Sequence, residues 1–143
     1  MLAAAPRVDR SSSLSTVDTT ASRTLAITAA AAAAAKKAQD ILVLELGDLI
    51  GITDFFVIAS ATNDRQLGTL VDEVERRLKL DGRRPLRREG TKDTGWMLLD
   101  YGDVVVHAFT TEQRDFYNLE RLWSDAPVVE LPAEITAPPV GSA

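Results

Sequence analysis

Residues 96–107 read Trp-Met-Leu-Leu-Asp-Tyr-Gly-Asp-Val-Val-Val-His, which is two apolar runs on either side of a glycine. Glycine tolerates the positive φ that tight hairpin turns require, so we place a two-residue turn at Tyr101-Gly102. The flanking runs, Trp96 to Leu99 and Val104 to Phe109, are then two antiparallel strands. This hairpin decides the fold class, because the remaining elements can be ordered around it.

Side chains alternate between the two faces of such a hairpin. With this turn, the pairs opposite each other across the ladder are Trp96 and His107, Leu98 and Val105, and Asp100 and Asp103. These six side chains form one mixed face of apolar, aromatic and acidic character, which is typical of a surface that meets a specific partner. The other face is purely aliphatic and should be core: Met97, Leu99, Val104 and Val106.

Hydrophobic periodicity and turn residues give the other elements. A helix is expected from about Ser22 to just before Asp40, and a second from an apolar stripe at i, i+3, i+4, i+7 and i+11. Thr110 and Gln113 resemble a capping box that opens a last helix. The expected strands are Ile41–Leu46, Phe55–Ser60 and a short piece, Leu86–Arg88, followed by a polar loop, Glu89–Gly95. The helix stripes are Leu67, Leu70, Val71, Val74 and Leu78, and then Phe116, Leu119 and Trp123.

This order of elements predicts one α+β domain with a mixed β-sheet packed against helices. A chain of 143 residues with 45% hydrophobic composition is the size of one domain with a real core. Residues 1–22 are rich in Ser, Thr and Ala and should form a disordered tail, residues 23–131 the folded domain, and residues 132–143 a disordered Pro-rich tail.

Composition excludes several classes of protein. The net charge of −5 and pI near 4.9 argue against a protein whose main task is to hold nucleic acid through phosphates. There is no cysteine and only one histidine, so neither a thiolate site nor a histidine-rich metal site can form. No glycine-rich phosphate loop follows a strand. We therefore expect no metal, no cofactor and no enzymatic activity, and no apolar run long enough to cross a membrane.

Three features have a structural and a functional interpretation. Asp100 and Asp103 resemble a metal or acid/base pair, but carboxylates beside a tight turn usually make local hydrogen bonds. His107 in a valine-rich strand is more often a half-buried structural residue than a base. Trp96 fits core and contact surface equally well, since tryptophan is enriched among interface anchors.

The stretch from Arg76 to Arg88 holds seven basic residues and one acid. Cations favour the C-terminal end of a helix, so the stretch is either a solvated helix end or a patch that contacts RNA phosphates. The sequence leaves both interpretations open.

Several motifs together resemble the Iojap family of ribosomal silencing factors over about residues 30–130. They are Asp40-Ile41, Thr53 to Ile58, Glu89-Gly90, Trp96, Asp100 to His107, and the Arg114 to Trp123 segment. The resemblance implies a fold similar to nucleotidyltransferases without their catalytic signature. It also implies binding to the large ribosomal subunit through ribosomal protein L-fourteen, which blocks joining of the small subunit. The contact residues it implies are Glu89, Gly90, Trp96, Leu98, Asp100, Tyr101, Asp103, His107, Arg114 and Tyr117.

We therefore expect a non-catalytic translation repressor, with a cryptic nucleotidyltransferase and a plain RNA-binding protein as the rival hypotheses. A homodimer is expected for the free protein, because Trp96, Leu98 and Val105 make the mixed face too apolar to be left in water. Relatives occur in bacteria, mitochondria and plastids. Asp9 and Asp18 fit a transit peptide poorly, which favours the bacterial cytoplasm.

Overall fold

A five-stranded mixed sheet forms the centre of the protein. The computed structural model describes residues 11–47, 53–118, 121 and 124–136. The sheet order is β1-β2-β5-β4-β3, in which β2 and β5 run parallel and the other neighbours antiparallel. The strands are β1 (Gln39–Glu45), β2 (Phe55–Ala61), β3 (Arg87–Thr91), β4 (Trp96–Asp100) and β5 (Val104–Thr110), and the helices are α1 (Ser11–Ala35), α2 (Asp64–Leu80), α3 (Thr111–Tyr117) and α4 (Ala133–Thr136). The α+β class and the mixed sheet are confirmed.

Helix α2 forms as its stripe predicted. The Asn63 side chain caps the helix by accepting a hydrogen bond of 2.8 Å from the backbone N–H of Gln66. All five residues of the predicted stripe, Leu67 to Leu78, are buried. Alanines of α1 pack beside it, and because alanine is small the two helices lie close on the sheet. The fully buried ones include Ala26, Ala29, Ala30 and Ala32.

The two faces of the sheet bury different clusters. On the side of α1 and α2, the aliphatic face of the hairpin, including Leu99 and Val106, joins the main core, as predicted. On the opposite side a smaller cluster contains Leu98, Val105 and Phe109 beside Ile58. The mixed face of the hairpin therefore belongs to a second, partly open layer.

The hairpin register differs from the prediction by two residues. Leu98 pairs with His107 and Asp100 with Val105. Tyr101 N–H donates to the Val104 carbonyl at 2.9 Å, so the turn has two residues but begins at Gly102, whose φ is +88°. A shift of two residues leaves every side chain of the two strands on its predicted face. It places Asp103 in the turn rather than opposite Asp100.

The third strand is longer than predicted. Residues 89–91 belong to β3, which pairs with β4 along Arg87–Thr91, whereas we had expected a polar loop from Glu89. A strand at the sheet edge needs no alternating apolar residues, because only one of its sides is paired and little of it is buried.

The ends of the chain also differ from the prediction. Helix α1 begins at Ser11, so residues 11–22 are helical where we had expected a disordered tail. At the other end, Ile135 of α4 packs against the main core, in a segment expected to be disordered. In the last predicted stripe, Phe116 is 77% exposed rather than core. Leu119 and Trp123 lie outside the described residues, as do residues 1–10 and 137–143.

Candidate docking surface

Strands β3 and β4 present the open part of the mixed face. Because β3 is the last strand in the sheet, its outer edge has no neighbouring strand among the described residues. Thr91 pairs with Trp96, and Glu89 pairs with Leu98, so these side chains share one face. Trp96 and Glu89 are half-buried, while Leu98 is only 9% exposed. We call Glu89, Trp96, Leu98 and Asp100, with Arg87, the docking face.

A single arginine bridges the two acids of this face. Arg87 makes ion pairs of 2.7 Å to Glu89 and 3.0 Å to Asp100. The hydrogen bond to Asp100, with the charge of Glu89, raises the pKa of Arg87. Two carboxylates against one guanidinium leave the docking face with a net negative charge. It therefore suits a partner that supplies basic groups.

The carboxylates at the turn accept hydrogen bonds from within the protein. Asp100 Oδ1 accepts the Gly102 N–H at 2.8 Å, which is the local turn chemistry expected of such a residue. Asp103 accepts from Arg83 at 2.7 Å and from the Ser22 hydroxyl at 2.6 Å. Burial alone would raise the pKa of Asp103, but these hydrogen bonds outweigh it and lower the pKa. Asp103 thus ties the turn to α1 rather than extending the docking face.

Tyr101, expected among the contact residues, lies in the main core on the side of α1 and α2 and is 4% exposed. Its hydroxyl makes no hydrogen bond within the described part of the chain. Burial raises the pKa of Tyr101 to about 12, so the phenol stays neutral. Tyr101 supports the hairpin from behind, on the face opposite to Trp96.

The histidine sits in a row of aromatic rings. The ring centroid of His107 lies 4.7 Å from that of Phe56, edge to face, and 6.2 Å from that of Phe109 in a stacked arrangement. Neither ring nitrogen has a hydrogen-bond partner among the described residues. Burial lowers the pKa of His107 to about 4, so the ring is neutral near pH 7. The half-buried position was predicted, but the missing hydrogen bonds were not.

Arg114 is buried and links α3 to the sheet through hydrogen bonds. It is 7% exposed and donates to the Asp40 carbonyl and, at 2.8 Å, to the Ser60 hydroxyl. It therefore fixes α3 against β1 and β2, and little of its side chain is exposed to a partner. The Arg114 side chain also lines an open cavity of about 370 Å³ between α3 and β1.

Two aromatic residues at the end of α3 extend the row to the surface. Tyr117 is 48% exposed, and its ring centroid lies 5.6 Å from that of Phe109. Phe116 packs edge to face on Tyr117 at 5.2 Å. Since Phe109 pairs directly with Trp96, the aromatic row leads from the docking face onto α3. Sequence reasoning placed Phe116 in the core, because a helical stripe does not show which of its members the sheet covers.

Gly90 has a backbone role. Its φ is +82°, and a Cβ at this position would lie 2.2 Å from the carbonyl oxygen of Trp96. The glycine therefore lets β3 approach β4 closely beside the indole.

The basic stretch from Arg76 to Arg88 is largely neutralised within the protein. Hydrogen bonds from Arg76 and Arg77 lower the pKa of Glu73 to about 2. Arg88 pairs with Glu75 at 2.6 Å and with Asp72 at 3.3 Å. Arg83 pairs with Asp103, and Arg87 pairs with both Glu89 and Asp100. This pairing favours the solvated helix end over a phosphate-binding patch. Glu73 and Arg77, four residues apart on α2, form an ion pair of 3.0 Å.

The predicted contact residues thus divide into two groups. Glu89, Trp96 and Asp100 lie together on the docking face around Leu98, and Tyr117 lies at the end of the aromatic row. Gly90, Tyr101, Asp103, His107 and Arg114 shape or support that surface from within. In the described ranges, no three His, Asp or Glu side chains are arranged to hold a metal ion. No helix there is both long and apolar enough to span a bilayer.

Fold and surface together define a small α+β domain with an aromatic, acidic face at the open edge of its sheet. A family model described as "Ribosomal silencing factor during starvation" matches residues 19–141, and the chain belongs to this family. It is 39% identical to the ribosomal silencing factor RsfS of Bacillus subtilis over 103 residues, which are 72% of this chain and 87% of that protein.

Two further relatives support the assignment. The chain is 39% identical over 110 residues to the chloroplastic protein Iojap of Zea mays, of which it covers 46%. The crystal structure of a Chromobacterium violaceum protein superposes with a TM-score of 0.69 at 31% identity, covering 71% of this chain and 85% of that one. The predicted family and the predicted α+β fold with a mixed sheet are therefore confirmed.

Proposed function

We propose that this protein represses translation by binding the large ribosomal subunit through ribosomal protein L-fourteen, so that the small subunit cannot join. Membership of the ribosomal silencing factor family supports the ribosome as target. The observation that carries the proposal is the docking face: a half-buried indole, Trp96, beside acids at an open sheet edge. Proteins that bind ribosomal RNA are usually basic, so their surfaces complement such a face.

The docking face supplies two different contributions. Trp96 is the apolar anchor, and truncation of such a residue at an interface centre typically costs about 2 kcal/mol or more, roughly thirtyfold in affinity. The carboxylates of Glu89 and Asp100 orient a basic partner and increase the association rate. Repression is then steric, because the bound protein occupies space that the small subunit needs.

We also propose that the free protein is a homodimer in the bacterial cytoplasm. Leu98 and Val105 are buried within the protein, so the apolar surface left open to a second copy is the half-buried Trp96 with the exposed Phe116 and Tyr117. Light scattering at micromolar concentration tests this, and a strict monomer would contradict it.

The rival functions make different demands. A cryptic nucleotidyltransferase would bind a nucleoside triphosphate with magnesium, and calorimetry should detect no such binding to this protein. A plain RNA-binding protein would bind large and small subunits alike, with a steep salt dependence. Pairing of most cations between Arg76 and Arg88 argues against that alternative.

Sedimentation with separated subunits tests the proposal. The wild-type protein should travel with the large subunit and not with the small one, and it should reduce the yield of joined ribosomes in a reassociation gradient. Binding to the large subunit with normal joining would contradict the steric mechanism. Equal binding to both subunits would favour the plain RNA-binding protein.

A further inference from the structure

An open polar groove runs between the first turns of α2 and the outer end of β3. Its volume is about 460 Å³. It adjoins the docking face, because both use β3, but it lies on the side of the sheet that carries α2. The lining residues from α2 are Arg65, Gly68, Thr69 and Asp72, and those from β3 and the turn after it are Arg88, Gly90, Thr91 and Lys92.

Two exposed cations of this groove, Arg65 and Lys92, make no ion pair within the described residues. The third, Arg88, is held by Asp72 and Glu75. Asp72 is the acid that lines the groove, and Arg88 already pairs with it. The groove therefore offers two cationic groups that are available to an anion.

A glycine keeps one of these cations at the groove. A Cβ at Gly68 would lie 3.3 Å from Cδ of Lys92, which is tighter than ordinary contact. Because Gly68 has no Cβ, the aliphatic part of the Lys92 side chain can lie against α2. Glycine inside a helix is less stable than alanine by about 1 kcal/mol, so this position trades helix stability for close approach.

We propose that this groove binds the sugar-phosphate backbone of RNA on the large ribosomal subunit, next to the protein contact at the docking face. The inference rests on the proposed function and deepens it by moving the RNA contact away from the Arg76 to Arg88 stretch. Arginine and lysine bind phosphate well. Because the groove is open and polar, it suits an extended sugar-phosphate chain better than a small molecule that would need an enclosed pocket. With a net charge of −5, the protein uses this contact to orient itself rather than as its anchor.

The test is the salt dependence of binding to purified large subunits. Each phosphate contact contributes about 0.7 to 0.9 to the slope of log affinity against log salt. The double variant Arg65→Gln/Lys92→Gln should therefore lower the slope by about 1.5, which is roughly an eightfold affinity difference over a fourfold salt range. The control is Lys79→Gln/Arg84→Gln, which removes the same charge near the other end of α2 and should leave the slope unchanged. Both cations are exposed and make no ion pair in the part of the chain that the structure describes.

A photo-crosslinking residue in place of Lys92 identifies what occupies the groove. Crosslinks to ribosomal RNA support the proposal, and crosslinks confined to a ribosomal protein overturn it. An unchanged salt slope in the groove variant, or an equal change in the control variant, also overturns the proposed RNA contact. The proposed function stays intact in either case, provided that the wild-type protein binds the large subunit. If the wild-type protein does not bind large subunits at all, the proposed function itself fails.

Discussion

Substitution of Gly90 by alanine should destabilise the protein far more than the same change at Gly82. Both glycines have nearly the same positive φ, +82° and +84°. At Gly82 a Cβ would meet nothing within 4 Å, so only the backbone conformation is penalised, at about 1 to 2 kcal/mol. Gly82→Ala therefore measures the conformational cost alone.

At Gly90 the same cost is joined by a collision. The added Cβ would lie 2.2 Å from the Trp96 carbonyl oxygen and 3.2 Å from Cα of Met97, and both are backbone atoms that cannot rotate away. Relief requires β3 to move from β4 by about 1 Å, which weakens ladder hydrogen bonds worth about 0.5 to 1.5 kcal/mol each. We expect a total loss of about 3 to 5 kcal/mol for Gly90→Ala, against about 1 to 2 kcal/mol for Gly82→Ala.

Urea unfolding of both variants, followed by far-ultraviolet circular dichroism, gives the two free energies of unfolding. A loss at Gly90 no larger than that at Gly82 would refute the reasoning, because the carbonyl contact would then have no energetic consequence.

Two further predictions concern buried polar groups. Burial lowers the pKa of His107 to about 4, below the ordinary 6.5, so unfolding takes up a proton and the free energy of unfolding should fall as the pH decreases from about 6.5 to 4. The variant His107→Phe should lose this slope in a series of urea titrations, and an unchanged slope would assign it to another group. Arg114→Met should cost about 2 to 3 kcal/mol, because Ser60 and the Asp40 carbonyl lose a charged donor, whereas the exposed Arg84→Met should cost less than about 0.5 kcal/mol by the same assay. An equal loss of unfolding free energy in the two variants would show that the hydrogen bonds of Arg114 do not stabilise the fold.

Local patterns predicted the elements whose burial is regular. The stripe of α2 repeats with the helical period, and the aliphatic face of the hairpin repeats with the period of a strand, so Leu67 to Leu78 and Leu99 with Val106 were placed correctly. The faces of the hairpin survived an error in register, because the error was an even number of residues.

Features set by tertiary context could not be predicted in the same way. The turn begins at Gly102 because Tyr101 closes the hairpin with Val104, and a glycine alone does not say which turn position it takes. Motif resemblance grouped Tyr101 and Arg114 with the contact residues, yet both are buried. A motif groups residues by their positions in the sequence, and only the fold shows which of them are exposed and which are buried beneath the surface.

The central claim is that Trp96 anchors the complex with the large subunit. The most direct measurement compares Trp96→Ala with Leu80→Ala, a truncation of a 73% exposed residue at the end of α2, away from the docking face. Both variants must first give the circular dichroism spectrum of the wild-type protein. In sedimentation with purified large subunits, Trp96→Ala should bind about thirtyfold more weakly and should no longer reduce subunit joining, while Leu80→Ala should behave as the wild type. A folded Trp96→Ala protein that still binds and blocks joining at wild-type concentrations would contradict the account.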